Sequence, residues 1–376
     1  MPMKAMTTAS AEQYDAILYG RMTPAMAAAY LQDGRVCLRT FGQTLCEMYP
    51  ASDLLDRLTA FFVAITAQPD RRSIQRKIRN WLTTKHCPSS RQDIFAIAFA
   101  LNLSEAQLDY LLSLATDYGI QYRDARDAVF AWFLRGGYSW AQATEFYSRL
   151  PEPPGLNQVS GQEASRLTQD IHSEFLLAHS LPELEACCLR NLPRFGDLHL
   201  RAYYYFDLYM RQLIHPASPW EDEPERDYSL ELVMDTYLCA HMPRGKDRKG
   251  YSLVQRLIKQ NWPNATTIKN VFLHKEDVPR KLLLLLYVVT ENIGVHENAY
   301  FDLEDDEEPL TVEERVDDHW WTLNALLADC GMAPLDPRNA TDWLFLYAMC
   351  ADPDEAMSDR LEQVIDAMFD NVREKE

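Results

Sequence analysis

A chain of 376 residues has room for two or three domains, and an apolar content of 47% is enough to build a packed core. The formal charge of −19 argues against a surface that attracts nucleic acid everywhere. The longest apolar run, Leu282 to Val289, is far too short for a bilayer crossing, which needs ~20 residues.

Residues 1–50 read as an N-terminal helical segment. Their opening, "MPMKAMTTASAEQYDAILYG", lacks the continuous apolar stretch of a secretory signal. A cytoplasmic protein with reduced thiols is expected, because the eight cysteines show no CxxC spacing that would favour a disulfide framework or a zinc site. Near Val36, "RVCLRTF" is the only strand candidate and reads equally well as helix. Elsewhere apolar residues recur at helical spacing, so the chain is expected to be all-α.

Residues 51–150 form the first of two units. "DLLDRLTAFFVAITA" reads as a helix, and "QPDRRS" after it leaves little room for another. From Arg72 to Leu82, helical spacing puts Ile74, Ile78, Trp81 and Leu82 on one stripe and Arg72, Arg76, Arg79 and Thr83 on the opposite face. The turn "KHCPSS" follows, with Pro88 near the start of an apolar helix over Arg91 to Leu101. Ser104-Glu-Ala-Gln107 and Ser139-Trp-Ala-Gln142 each predict a capping box that opens a helix. Pro151 to Ser165 is the clearest linker. Residues 166–214 are a helical middle segment in which "AYYYFDLYM" is expected to be packed core. A second break runs from His215 to Asp227.

Residues 228–370 form the second unit. "GYSLVQRLIKQNWPNATTIKNVFLHK" outlines a helix-turn-helix, with Asn264 capping its second helix. "LLLLLYVV" is expected to be a buried helix, and Val295 to His319 an acidic loop.

The two units align as degenerate repeats on either side of the middle segment. Leu108 to Leu134 lies over Leu323 to Met349 without a gap, and Leu108, Leu111, Leu112, Arg123, Ala125, Asp127 and Phe130 meet identical residues. Upstream, Ile78 lies over Ile268, and Arg79 and Arg91 meet Lys269 and Lys281. The matched Arg123–Asp127 and Arg338–Asp342 pairs have the i,i+4 spacing of a local ion pair or a helix cap.

Charge is segregated along the chain. Arg71 to Arg91 holds seven Lys or Arg and no acid, and Arg244 to Lys281 holds ten against three acids, so the remainder sums to −33. A short helix with a buried stripe and a cationic outer face suits DNA, where arginine neutralises phosphates and pairs with guanine edges. The candidate DNA-contacting residues are Arg71, Arg72, Arg76, Lys77, Arg79, Thr83, Lys85 and Arg91 in the first unit, and Arg244, Lys246, Arg248, Lys249 and Lys269 in the second. A solvated face, or an intramolecular partner for the acidic loops, is the alternative for such a charge run.

The stretch "IQRKIRNWLTTKHCPSSRQDIFAIAFALNLSEAQLDYLLSLA" resembles the lambda-repressor-like, Xre-type helix-turn-helix family: its recognition helix, its "G-K-x-x-P-S" loop and its two following helices. With the turn made by Tyr122, Arg123, Arg126, Asp127 and Ala128, the arrangement resembles the long, largely uncharacterised helix-turn-helix proteins of clostridial bacteria. The resemblance implies a transcriptional regulator that binds double-stranded DNA. The alternative is a protein-interaction scaffold that keeps the shape without binding DNA, through a protein partner or by self-association.

Other chemistry finds little support in the sequence. "DLEDDEE" lacks the glycine and ligand spacing of a calcium loop. His172 and His179 lie seven apart with no third ligand in register. No phosphate-cradling glycine loop, nucleophile elbow or HExxH is present, so no enzyme, cofactor or metal is expected.

Overall fold

The computed structural model describes residues 7–36, 38–83, 87–116, 118–152, 167–196, 198–216, 227–243, 250–290, 311–352 and 355–373. Among these the chain is all-α, with nineteen α-helices and no strand. In the strand candidate "RVCLRTF", Val36 and Leu38 to Thr40 are irregular chain leading into a helix at Phe41, and Cys37 lies outside the described residues. A single isolated antiparallel bridge joins Tyr118 to Met332.

The chain divides into two compact units that do not follow its order. A terminal unit takes residues 1–38, 202–330 and 334–376, and a central unit takes residues 39–201 and 331–333. The chain enters the terminal unit through α1 (Thr8–Tyr19) and α2 (Pro24–Gln32). It then builds the central unit from α3 (Phe41–Met48), α4 (Leu54–Ile65), α5 (Arg71–Thr83), α6 (Arg91–Leu101), α7 (Glu105–Ala115), α8 (Ala125–Arg135), α9 (Trp140–Arg149), α10 (Leu167–Leu177) and α11 (Leu181–Asn191). It returns with α12 (Leu200–Ile214), α13 (Leu230–Val233), α14 (Leu253–Asn261), α15 (Ala265–Phe272), α16 (Arg280–Val289), α17 (Val312–Asp329), α18 (Ala340–Met349) and α19 (Met357–Arg373). The segment expected at 166–214 is thus shared, with α10 and α11 in the central unit and α12 from Ala202 in the terminal one.

In the central unit, α6 and α8 are apolar almost all round and are therefore buried almost all round. Phe130 of α8 packs edge-on against Phe95, Phe99 and Trp140, with centroids 6.2, 6.0 and 4.8 Å away. Both predicted capping boxes form: the Ser104 and Ser139 hydroxyls accept from the amides of Gln107 and Gln142, whose side chains accept from the serine amides. A half-buried polar joint ties α7, α8 and α10. Glu105 accepts from Tyr122 and from Arg135 Nη1 at 3.1 Å, and His172 stacks on Tyr122 with centroids 4.1 Å apart. The Tyr122 ring and the Glu105 carboxylate, 3.7 Å from its Nε2, give His172 a structural role; no group of three potential ligands that could hold a metal occurs among the described residues.

The terminal unit is centred on α16 and α18, where Leu282 to Val288 and Trp343 to Tyr347 are essentially inaccessible to water. Burying each such side chain stabilises the fold by roughly 1.5–3 kcal/mol. The N-terminal helices join this unit through long-range contacts: Gln32 Nε2 donates to the Met368 carbonyl at 2.8 Å, and Tyr347 Oη to the Met22 carbonyl at 2.9 Å. "AYYYFDLYM" supplies core, with Tyr203, Phe206, Tyr209 and Met210 buried, although Tyr204 is exposed. The acidic stretch expected to loop from Val295 to His319 is helical from Val312, because Thr311 and Glu314 form a capping box. Its "DLEDDEE" portion lies outside the described residues, as does nearly all of the 151–165 linker.

Each unit contains the same set of polar contacts. In the central unit, Arg91 at the start of α6 pairs with Asp127 of α8. Asp127 also accepts from the Gln121 amide at 3.2 Å, Asp124 accepts from the Asp127 amide at 2.8 Å, and Asp109 accepts from the Ile120 amide at 2.8 Å. In the terminal unit, Arg280 at the start of α16 grips both oxygens of Asp342, at 2.7 and 2.8 Å. There Asp342 accepts from the Asp336 amide at 2.9 Å, Asn339 from the Asp342 amide at 3.3 Å, and Asn324 from the Leu335 amide at 2.8 Å. Each aspartate is held by an arginine from another helix and by a backbone amide of the turn before its own helix. One sequence expectation changes: the counterpart of Arg91 is Arg280, one residue before the Lys281 that the ungapped alignment supplies.

Candidate nucleic-acid interface

The α5 helix forms because its apolar side chains fall every third or fourth residue and its cations fill the remaining positions. Ile78 and Trp81 are buried, Ile74 and Leu82 are half-buried against the same core, and the Phe62 ring of α4 meets Trp81 edge-on at 5.6 Å. This seating leaves Arg71, Arg72, Arg76, Arg79 and Thr83 exposed. Arg72, Arg76 and Arg79 make one row on the helix surface, about 10 Å long at 1.5 Å per residue. No described residue forms an ion pair with the side chains of Arg71, Arg72, Arg76 or Arg79. The Thr83 hydroxyl turns back to donate to the Arg79 carbonyl at 2.6 Å.

Two of the predicted cations are turned away from this row. Lys77 lies over the Trp81 ring, 4.9 Å from its centroid, and its Nζ reaches both oxygens of Asp93 on α6, at 2.9 and 3.1 Å. It therefore ties α5 to α6. Arg91 points inward, where besides Asp127 it donates to Thr116 Oγ1 at 3.0 Å and to the carbonyls of Tyr118 and Gly119 at 3.1 and 2.6 Å. Burial pushes the Asp127 carboxyl up to about 6, although the Arg91 guanidinium draws it down. Every donor of Arg91 that these contacts use is committed to the fold, so Arg91 is removed from the candidate DNA-contacting set.

In the terminal unit the α14–turn–α15 outline forms as the sequence predicts. Ser252 caps α14, and the Asn264 side chain accepts from the Thr267 amide to start α15. The outer face of α15 is not cationic, however. Lys269 lies 3.4 Å from Glu231, and the neighbouring exposed side chains are Phe272 and Leu273. Lys85, Arg244, Lys246, Arg248 and Lys249 lie outside the described residues.

Sequence reasoning missed two residues that shape the site. Asp93 could have been suspected as an acid in the first turn of α6, but its link to Lys77 spans 16 positions. Gly42 of α3 carries no sequence signal, and it abuts the end of α5: a Cβ there would lie 2.6 Å from the carbonyl oxygens of both Trp81 and Leu82.

Among the described residues no helix is long and apolar enough to cross a membrane. No family model, curated protein or solved structure matches the chain.

Proposed function

We propose that this chain is a cytoplasmic, non-catalytic, DNA-binding regulator of the Xre type, which meets duplex DNA through the arginine row of α5. The carrying observation is that Arg71, Arg72, Arg76 and Arg79 stand exposed and without an ion-pair partner among the described residues, on a helix whose other face is locked into the core. In a chain with net charge −19, four free cations on one short helix repel one another unless an anion is bound. The phosphate backbone is the anion whose spacing and charge density suit such a row. The shared contact set supports the further reading that the two units are degenerate copies of one helical plan. Its members from Asp109 to Asp127 recur at one offset, as Asp109 to Asn324 and Asp127 to Asp342, while the arginine before them, Arg91 and Arg280, stands at a different one.

A second reading, a protein-interaction scaffold, is favoured in the terminal unit by Phe272 and Leu273 on the exposed end of α15. The two readings assign different partners to different helices. Titration of a labelled duplex with the full chain across a salt series separates them. Four arginines at roughly 0.9 counterions each predict a slope of log K against log salt near −3.6. An absence of binding at low salt leaves the scaffold reading alone.

A further inference from the structure

We infer that Gly42 is a positioning residue that sets the seat of α5, and this rests on the DNA reading of the α5 face for its functional meaning. Real side chains do not approach backbone oxygens as closely as a Cβ at position 42 would approach Trp81 and Leu82. The absence of a side chain is therefore what lets α3 stand where it does. Gly42 lies in the first turn of α3, behind the Thr40 cap, and the two carbonyls belong to the last turn of α5. The positive end of one helix thus backs onto the negative end of the other.

Neither helix can yield freely. On α3, Phe41 and Leu45 are buried in the core, so a retreat of α3 uncovers them. On α5, Ile78 is buried and Lys77 is tied to Asp93, which restrains the middle of the helix; in the last turn Trp81 is buried, but Leu82 is half-buried and Thr83 exposed. The least restrained response to a methyl group at position 42 is a shift of the α5 C-terminal turn, which carries Arg79 and Thr83. That shift changes the spacing of Arg79 from Arg72 and Arg76 without removing any charge. The backbone of Gly42 is ordinary helix, a conformation alanine adopts more readily than glycine. A loss on substitution therefore reports the contact and not the local propensity.

The test compares full-length Gly42→Ala with Gln43→Ala, which removes the other half of the α3 capping box but adds no atom at the joint. Hydrogen exchange across 71–83 should quicken in Gly42→Ala while 125–135 keeps its protection. Duplex Kd at fixed salt should rise about tenfold, as for loss of one good contact, and by more than in Gln43→Ala after allowance for any difference in melting temperature. Unchanged exchange across 71–83 would overturn the inference, as would a Kd no worse than that of Gln43→Ala. If Gly42→Ala does not fold, Thr40→Ala, which removes the N-cap oxygen itself, frays the first turn of α3 more than Gln43→Ala does and should quicken exchange across 71–83 beyond that variant; equal exchange in the two would overturn the inference. The exchange arm needs no DNA. Quickened exchange in a chain that binds no duplex would keep the seat and remove the DNA reading.

Discussion

The ion pair between Arg280 and Asp342 offers the sharpest energetic prediction. Its side chains are 10% and 2% exposed, and the guanidinium reaches both carboxylate oxygens and the Pro334 carbonyl, the last at 3.1 Å. Arg280→Ala leaves the Asp342 carboxylate buried with the amide of Asp336, six residues away, as its remaining partner among the described residues. Breaking a buried pair by removing one member costs about 3–5 kcal/mol, because the surviving charge is uncompensated. The Asp336 bond remains in the variant, so a value near 3 kcal/mol is expected. Replacing both residues, as Arg280→Met with Asp342→Leu, should cost less than the two single changes together, since no buried charge is left. The Pro334 carbonyl and the Asp336 amide then lose partners, so about 2 kcal/mol should remain. Because the chain contains two units, a single global melt is not the right readout. Hydrogen exchange in peptides from α16 and α18 reports the local opening free energy directly. A loss under 1 kcal/mol in Arg280→Ala, or additive single and double changes, would refute the reasoning. Arg91→Ala should cost less, because Arg91 is 26% exposed and water can reach the vacated site.

Two further predictions follow from the packing and the polar joints. Glu105 is pushed up by burial, but the His172 ring 3.7 Å away, the hydrogen bond from Tyr122 and the Arg135 charge prevail and hold it below its ordinary 4.5. A carboxyl lowered in the fold contributes stability that is present above its unfolded value and is lost as pH falls through its folded value. The exchange protection that wild type holds over Glu105→Gln in peptides from α7, α8 and α10 should therefore shrink on acidification below 4.5, and a constant difference would contradict this. In the terminal core, Leu285→Ala removes a side chain that is 1% exposed and should cost about 2–5 kcal/mol. Denaturation monitored in the α16 and α18 peptides would test that figure.

Much of the central unit was legible in the sequence because its signals are local. The α5 stripe, the bounds of α6 and the boxes at Ser104 and Ser139 each depend on residues within a turn or two of one another. Orientation of charge was not legible. Arg91 looks like Arg79 in the sequence, and only partners 25 to 36 positions away turn it inward. The counterpart of Arg91 was misassigned to Lys281 because an ungapped alignment cannot see that α16 begins at Arg280. The helix at Val312 did carry a signal, Thr311 followed by Glu314, which the acidity of its surroundings obscured. The union of α2 with α19 includes a bond between residues 336 positions apart, from Gln32 to Met368, and no local pattern announces it.

The central claim is that the α5 arginines meet phosphate. It is tested most directly by paired salt titrations of one duplex with wild type and with the triple variant Arg72→Ala, Arg76→Ala, Arg79→Ala. These side chains are exposed and contribute nothing to the core, so exchange protection in the central unit should not be lost. The salt slope should fall in magnitude by about 2.7, at roughly 0.9 for each arginine. Equal slopes and equal affinities in a folded triple variant would place the DNA contact elsewhere and contradict the account.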